Sequence, residues 1–347
     1  MNIISVAPRT DPLWQRLTTE SDSSVFHSPA WMQVLADTYG WEPQAFLLLD
    51  DAGNPQAGIP FCRIADIRGE RIASLPFSDF CDPLVTSFEQ WKALIDGLLE
   101  EQRPLAVRPL HNEIPLQDER FTLVNKARWH GMDLHPDIDA HWSRIESSAR
   151  RAISKAERNG ISVRFGQAIE DVRAFFDMHL GIRKYKYHML AQPYSFFENI
   201  WRQFMAKDEG FVALAEHEGQ VVGGIFFLKW HNTLVYKFNA SRADSLEFRP
   251  TDLLIWESIK YGKSLGLQQL DFGLSDWDQD GLIRFKRKFA DCEKTISFLR
   301  YTPNGFPTPQ QKQAGELLPK LTNLFTDTSV PDKVTEDAGN LLYRFFV

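Results

Sequence analysis

The chain has 347 residues, of which 43% are hydrophobic and 24% charged, and its formal net charge is -7 at pH 7. A chain of this length and apolar content can bury sizeable cores and is expected to form two domains. The negative charge argues against a general nucleic-acid binder, so DNA is not an expected partner. No apolar run approaches the roughly 18 residues of a membrane helix, so a cytoplasmic protein is expected, with any membrane contact peripheral.

The sequence predicts no metal site. Asp276, Asp278 and Asp280 match the first half of an EF-hand calcium loop, but Arg287 stands where that loop needs a bidentate glutamate. Because a cationic side chain cannot coordinate calcium, we reject this match. The three cysteines are widely spaced and form no CxxC pair, which favours neither a disulfide framework nor a zinc cage: Cys62, Cys81 and Cys292.

The first part of the chain predicts a mixed α/β domain. Its clearest helix signal has Ser28 as N-cap, Pro29 at the first helical position and Gly40 as the stop. Short apolar runs bounded by turn residues predict the strands around it. The predicted strands are 3–6, 46–49, 58–64, 71–75, 105–107 and 121–124, with a second helix at 88–99.

An amphipathic helix is predicted at 148–159. Alanine and isoleucine residues recur at helical spacing on one face, while Arg151 and Lys155 share the opposite face. On spacing alone, such a basic face is a solvated surface. It could instead hold phosphate groups, because arginine offers a bidentate fork to phosphate oxygens.

The next part of the chain predicts two helices, a three-stranded antiparallel meander, a helix, a strand, a helix and a last strand. A capping box at 195–198 is expected to open the second helix. Asp271 is expected at a strand end and Lys286 at the start of the following element. The predicted elements are helices at 169–180, 195–206 and 250–265, strands at 211–216, 220–229, 234–240, 269–272 and 295–301, and a basic segment at 282–289.

This order of elements, together with several local motifs, resembles the FemABX branch of the GNAT acyltransferase superfamily. The motifs are FHSPAWMQVLADTYG, LPFSDFCDPL, RRAISKAERNG, VVGGIFFLKW, YKFNAS, LLIWESIKYGKSLGLQQLDFG and GLIRFKRKF. The resemblance covers roughly the first 300 residues, and its most specific part is the strand, loop and Phe-Lys pattern near the end. The branch includes aminoacyltransferases that build peptidoglycan bridges and related acyltransferases.

The resemblance implies an α/β (α+β) fold with tandem GNAT-like domains, each a mixed, mostly antiparallel sheet flanked by helices. It predicts an N-terminal domain at 1–140 and a C-terminal domain at 141–302. A helical tail at 303–347 is expected to pack back on the body and to return to the first domain. Its apolar residues need cover, which agrees with a docked tail.

The resemblance also implies site residues. The lysine of the family's aromatic-lysine motif falls on Lys286, beside the acyl-transfer centre, and the family's basic helix places Arg151 and Lys155 at phosphates of the donor or acceptor. One departure concerns the donor, since acetyl-CoA-dependent GNAT enzymes carry a glycine-containing pyrophosphate loop and residues 240–250 have no glycine. Acyl-CoA and aminoacyl-tRNA therefore both stay open as the donor co-substrate.

Acyl transfer to an amine needs a positioned carbonyl, a stabilised oxyanion and an acceptor for the amine's proton. Lys286 can supply positive charge to the oxyanion or leaving group, although it lies in a basic cluster that could be mere surface. Asp271 is the candidate for accepting the proton or holding the amine, with a turn residue as the alternative. Tyr236 could orient the carbonyl or relay a proton, although a strand tyrosine is more often a packing residue. Trp256 could line the pocket, although a core position explains it equally well.

The sequence thus predicts an N-acyltransferase that moves an acyl or aminoacyl group directly to an amine of a cell-envelope or polysaccharide precursor, such as a peptidoglycan precursor. The expected partners are a small or lipid-linked amine acceptor and, for one donor class, a charged tRNA. The rival hypothesis is a catalytically silent double-GNAT scaffold that binds an anionic glycan, nucleotide or lipid-linked precursor. Such a scaffold would use the basic helix but would need neither Lys286 nor Asp271.

Overall fold

The computed structural model describes residues 2–135 and 137–347. Its strands are β1 (Asn2–Val6), β2 (Pro43–Leu49), β3 (Pro55–Asp66), β4 (Gly69–Ala73), β5 (Leu105–Val107), β6 (Thr122–Asp133), β7 (Ser162–Gly166), β8 (Gly210–His217), β9 (Gln220–Trp230), β10 (Thr233–Ser241), β11 (Gln269–Asp276) and β12 (Cys292–Tyr301). Its α-helices are α1 (Pro12–Glu20), α2 (Pro29–Tyr39), α3 (Phe88–Leu99), α4 (Ile138–Arg144), α5 (Ser147–Arg158), α6 (Ile169–Tyr185), α7 (Tyr194–Gln203), α8 (Pro250–Ser264), α9 (Asp280–Arg287), α10 (Pro309–Phe325) and α11 (Asp332–Leu342).

The chain folds into two compact units. Unit 1 comprises residues 1–128, 294–319 and 344–347, and unit 2 comprises residues 129–293 and 320–343. The two units are defined by spatial contacts, whereas the predicted domain bounds come from the family resemblance. Those bounds therefore stay a prediction. In the described part of the chain, no helix is long and apolar enough to cross a bilayer.

Unit 1 is built on a sheet with the strand order β1-β2-β3-β4-β5-β12. Successive strands pair antiparallel from β1 to β4, whereas β4 and β5 pair parallel. Helix α3 packs one apolar face against this sheet through Trp91, Leu94 and Leu98, which share a buried cluster with Ile72 and Leu105. Burial of such side chains away from water supplies the main stabilisation of the unit.

Unit 2 repeats this pairing. Its order is β6-β11-β10-β9-β8-β7, with antiparallel pairs from β7 to β10 and a parallel pair between β10 and β11. Helices α5 and α8 cover one face through a cluster that includes Ile153, Ala156 and Ile259. The repeated pairing confirms the predicted mixed α/β class. In unit 2 the strands β8 to β10, helix α8, strand β11 and helix α9 follow in the predicted order, whereas β7 was not predicted and the predicted last strand at 295–301 belongs to unit 1.

Three local predictions in unit 2 are wrong. Asp271 does not end its strand, because β11 continues to Asp276. Lys286 lies in the last turn of α9 instead of at the start of an element. The expected capping box at 195–198 is not used, since α7 begins after Pro193 without a side-chain cap.

Helix α11 packs on unit 2 beside α6. The ammonium group of Lys184, which is fully buried, donates to Asp332 Oδ1 at 2.7 Å and to the carbonyl oxygen of Val330. Tyr185 Oη also donates to Asp332, at 2.6 Å. A buried ammonium without such partners would cost several kcal/mol, so this contact holds the chain after α10 in place.

A buried histidine should make unit 2 sensitive to acid. Burial, followed by the charge of Arg183, lowers the pKa of His179 to about 3, and His179 Nε2 lies 2.8 Å from Gln192 Oε1. As pH falls, the histidine of the unfolded chain, with a pKa of about 6.5, is therefore protonated before the buried His179 of the folded chain. The free energy of unfolding consequently decreases as pH falls below about 6.5. We expect His179→Gln to flatten the fall of the free energy of unfolding between pH 7 and pH 5 by up to about 1.4 kcal/mol per pH unit.

Chemical denaturation at the two pH values measures this slope. The matched control is His231→Asn, because His231 is exposed and asparagine accepts its positive φ of 48°. An unchanged slope in His179→Gln, equal to that of the control, would contradict the assignment of a neutral buried imidazole.

Candidate active site

The candidate site lies where β10 and β11 separate. Within the described residues, their parallel register runs from the pair Thr233 and Gln269 to the pair Val235 and Asp271. Both strands continue, and β10 carries a register shift against β9 between Tyr236 and Phe238. Two parallel strands that part at their carboxyl ends leave an opening in the sheet, which is where α/β proteins build sites.

The backbone of β11 is bent at Gly273, and Lys286 is fixed to this bend. Gly273 has a φ of +67°, a left-handed conformation inside a strand that glycine adopts without steric cost. Lys286 Nζ donates to the carbonyl oxygens of Gly273 and Leu274, at 3.1 and 2.8 Å. Because the Lys286 side chain is only 2% exposed, these bonds compensate part of the cost of burying its charge.

Tyr236 lies beside this lysine. Lys286 Nζ is 5.9 Å from the centroid of the Tyr236 ring, within cation–π range. The ring also packs against Phe227 and Phe272, with centroid distances of 5.8 and 6.2 Å. Burial raises the pKa of the Tyr236 hydroxyl, so it stays protonated at neutral pH and can donate a hydrogen bond.

Asp271 approaches the same bend from the other face of β11. Its Oδ1 accepts hydrogen bonds from Gly273 N at 2.6 Å and from Trp129 Nε1 at 2.7 Å. Leu270 and Phe272, on either side of it, belong to the core that α8 covers, so alternation along the strand turns Asp271 away from that core. The structure therefore brings Lys286 and Tyr236 together and separates Asp271 from them by the thickness of the sheet.

A buried histidine that no sequence motif indicates also lies near Lys286. His130 is fully buried, and its Nε2 lies 3.0 Å from Glu293 Oε2. Burial, and then the charge of Lys286, lower the pKa of His130 to about 4, so the ring is neutral at pH 7. Since a carboxylate faces Nε2, that nitrogen is inferred to carry the hydrogen. No sequence pattern marks His130, because Glu293 is 163 residues away in the chain.

The other predicted binding residues lie elsewhere in unit 2. Arg151 and Lys155 are both exposed on α5, where Arg151 Nη1 bonds Ser147 Oγ at 3.2 Å. Trp256 is buried in the core of unit 2, with its ring centroid 4.9 Å from that of Trp142. Packing accounts for Trp256 without a ligand, while the basic face of α5 is accessible to phosphate groups; both predicted binding roles stay predictions.

The N-terminus of α8 bears on the choice of donor. A helix N-terminus attracts anions, because its first N–H groups lack partners within the helix. Here the first turn contains the buried carboxylate of Asp252, with Lys288 Nζ at 3.7 Å. Burial raises the pKa of Asp252. The preceding residues, Ala243–Phe248, form a 3-10 helix instead of a glycine loop.

Comparisons with known proteins agree with this architecture. Residues 143–287, inside unit 2, match the model of the acetyltransferase (GNAT) domain family. No protein among those with curated functions matches the chain. A crystal structure of FemX is similar at a TM-score of 0.67 and 14% identity, over 92% of this chain and 100% of that one.

Two further solved structures share the fold. L-PGS from Bacillus licheniformis gives a TM-score of 0.56 at 13% identity, over 93% of this chain and 99% of that one. A tandem GNAT protein from the clavulanic acid biosynthesis pathway gives 0.51 at 10% identity, over 86% and 97% of the two chains. At such identities the similarity shows the fold, which is the FemABX-like tandem GNAT fold that the sequence resembles.

Proposed function

We propose that this chain, whose fold is that of the FemABX-like branch of the GNAT proteins, is an N-acyltransferase. It transfers an acyl or aminoacyl group from an activated donor directly to an amine of a cell-envelope or polysaccharide precursor. The observation that carries this proposal is that the buried ammonium group of Lys286 lies beside Tyr236 and donates to the carbonyl oxygens of Gly273 and Leu274 at the bend of β11. A solvated surface cluster would not be buried and bonded in this way.

In the proposed reaction, the neutral amine attacks the donor's carbonyl carbon, and the carbonyl electrons move to oxygen. The positive charge of Lys286 stabilises the resulting oxyanion from one face of β11. The new C–N bond forms, the bond from carbon to the donor's oxygen or sulfur breaks, and the Tyr236 hydroxyl supplies a proton to that leaving atom. Because Asp271 lies on the opposite face of β11, the proton that the amine loses reaches its carboxylate through a water molecule.

Replacing Asp271 with asparagine separates a chemical role from a structural one. The amide oxygen of Asp271→Asn can still accept from Trp129 Nε1 and Gly273 N, so the bend of β11 is expected to persist. The carboxylate that takes the proton is lost, and we expect the transfer rate to fall about a hundredfold. Steady-state kinetics over pH measures this, because the lost base also removes the acid limb of the pH profile.

A rate within about threefold of the wild type, with an unchanged pH profile, would assign Asp271 to holding Trp129 and Gly273 alone. The proton acceptor would then have to be another group.

For the donor, we favour an aminoacyl ester of tRNA over acyl-CoA. A CoA pyrophosphate at the N-terminus of α8 would meet a first turn that already contains the buried side chain of Asp252, and a 3-10 helix replaces the glycine loop that would hold it. A charged tRNA does not need that position for a pyrophosphate. The exposed basic face of α5, with Arg151 and Lys155, offers contacts for its backbone phosphates.

Calorimetry with acetyl-CoA tests the donor first, and a transfer assay with total tRNA charged with labelled amino acids follows. We expect weak or no binding of acetyl-CoA and transfer from charged tRNA. Tight acetyl-CoA binding that weakens in Lys286→Met would replace tRNA by CoA and keep the transferase. Failure of both donors to react would instead support the rival scaffold, which binds an anionic precursor without chemistry.

A further inference from the structure

His130, on β6, has no part in the reaction proposed for this site. Its side chain is fully buried, and its Nδ1 atom has no hydrogen-bond partner among the residues that the structure describes. The other ring nitrogen, Nε2, faces Glu293 Oε2 and carries the ring hydrogen, so Nδ1 holds a lone pair and can only accept. A buried acceptor without a donor is unfavourable. Nδ1 is therefore suited to a ligand that brings an N–H or O–H group.

The strand pattern places His130 on the same side of the sheet as Tyr236. Met132, two residues further along β6, lies in the core that α8 covers, and so does Tyr236. Alternation along the strand turns His130 to that side. Trp129, the residue before His130, points to the opposite side, where it donates to Asp271. His130 thus faces the side of the sheet on which the oxyanion is proposed to form.

The imidazole ring is held in place from α9. Arg287 Nε and Nη2 donate to the two carboxylate oxygens of Glu293 at 2.7 and 2.9 Å, and Glu293 Oε2 lies 3.0 Å from His130 Nε2. The pairing offsets the charge of Glu293 and fixes the orientation of the ring. Burial, and then the charge of Lys286 on the same helix, lower the pKa of His130. Nδ1 is therefore a neutral acceptor near a positive charge.

This combination discriminates between the two forms of an amine. An ammonium group would meet the positive charge of Lys286 and an uncharged acceptor, which do not compensate its loss of water. A neutral amine needs no counter-ion and can donate one N–H to Nδ1. The carboxylate of Asp271, which would favour the ammonium form, lies on the opposite face of β11. The Lys286 side of the strand is therefore suited to the neutral amine, which is the form that attacks a carbonyl carbon.

We propose that His130 Nδ1 accepts a hydrogen bond from the attacking amine and holds that amine in its neutral form beside Lys286. This inference rests on the proposed transfer to an amine, and it adds the residue that orients the nucleophile. One N–H of the amine points to Nδ1, so the nitrogen lone pair can face the donor's carbonyl carbon. His130 forms no covalent bond and takes up no proton, since the proton that the amine loses still goes to Asp271.

Two variants separate the Nδ1 acceptor from the bond to Glu293. In His130→Gln, the amide nitrogen can replace Nε2 and donate to Glu293, but no acceptor stands at the Nδ1 position. In His130→Asn, the shorter carboxamide offers an acceptor near the Nδ1 position but does not reach Glu293. We expect the KM for the acceptor amine to rise about tenfold in His130→Gln, which corresponds to one hydrogen bond, and to rise less in His130→Asn.

The opposite order, with a larger rise in His130→Asn than in His130→Gln, would assign His130 to holding Glu293 and overturn the inference. A raised KM for the donor with an unchanged KM for the acceptor would place Nδ1 against the donor, and would overturn it as well. His231→Asn is the control, because His231 is exposed and its replacement should leave both KM values unchanged. Thermal unfolding shows whether each variant is folded.

A binding measurement tests the same contact without turnover. The full chain, carrying isotope-labelled histidine, is titrated with Nα-acetyl-lysine, and the nitrogen resonance that is absent from His130→Gln reports on Nδ1. We expect this resonance to shift, and the apparent affinity to rise about tenfold per pH unit between pH 7 and pH 9, because an amine with a pKa of about 10.4 becomes neutral to that extent. The charged groups that face His130 are Lys286, Glu293 and Arg287. They are the same in His130→Gln, which should bind about tenfold more weakly at each pH.

The matched control ligand is Nα-acetyl-Nε-trimethyl-lysine, because its side chain has no N–H and stays positive at every pH. Equal binding of the two ligands, or an affinity for Nα-acetyl-lysine that does not change with pH, would overturn the inference. A shift at His130 in a protein that transfers nothing would keep the amine contact and contradict the transferase alone. Transfer without a shift would remove His130 from the site and leave the transferase in place.

Discussion

Lys286→Met is expected to lower the rate of acyl transfer by about 10² to 10³-fold, because it removes the positive charge proposed to stabilise the oxyanion. Methionine retains the length and the apolar stem of lysine, so packing against Tyr236 is kept. The carbonyl groups of Gly273 and Leu274 lose a donor, and we expect a stability loss of about 1 to 3 kcal/mol. Single-turnover rates with saturating donor measure the chemical effect apart from binding.

Arg284→Met is the matched control, since Arg284 is an exposed cation on the same helix, α9. It should leave the single-turnover rate within about twofold, as expected for a surface substitution. A folded Lys286→Met protein with the rate of the control would remove Lys286 from the mechanism. Thermal unfolding of each variant shows whether the comparison is made between folded proteins.

Asp82→Ala should destabilise unit 1 by about 3 kcal/mol or more. Asp82 is buried, and its Oδ1 accepts hydrogen bonds from the backbone N–H groups of Leu110, His111 and Asn112 at 2.8, 3.0 and 3.0 Å. Removal of the carboxylate leaves three donors without that acceptor, one of them in a buried hydrogen bond and two in partly buried ones, and an unsatisfied buried donor costs about 1 to 3 kcal/mol. Chemical denaturation followed by tryptophan fluorescence measures the loss.

Asp82→Asn separates hydrogen bonding from charge at this position. Its amide oxygen can still accept from the same backbone groups, so it should recover more than half of the stability that alanine loses. Equal destabilisation by alanine and asparagine would mean that the negative charge, and not the acceptor, holds the segment after β5. A loss below about 1 kcal/mol in Asp82→Ala would contradict the structural role itself.

Much of the fold could be predicted because local patterns and tertiary packing agree. The spacing of Ala149, Ile153 and Ala156 predicted α5, and those residues are buried in unit 2. Apolar runs separated by short turns predicted the three antiparallel strands of the meander. Strand β7 was missed, because it is only five residues long and lies between the stop at Gly160 and the next helix, which leaves little pattern to read.

The candidate site was only partly predictable. Gly273 reads as a turn, so the sequence ended β11 too early, whereas the structure keeps the glycine inside the strand as a bend. Lys286 and Asp271 could be selected from their chemistry and from the family resemblance. The residues that contact them could not be predicted in this way. Trp129, for example, lies 142 residues from Asp271 along the chain. Such contacts arise only from the tertiary fold.

The central claim is direct transfer to an amine at the bend of β11. Mass spectrometry of a reaction between charged tRNA and a lysine-containing, UDP-linked muramyl pentapeptide tests it most directly, with acetyl-CoA as the parallel donor. We predict an acceptor whose mass increases by one aminoacyl group with the wild-type protein, and no such product with Lys286→Met. Unmodified acceptor with both donors and the wild-type protein would contradict the proposed transferase and favour the silent scaffold.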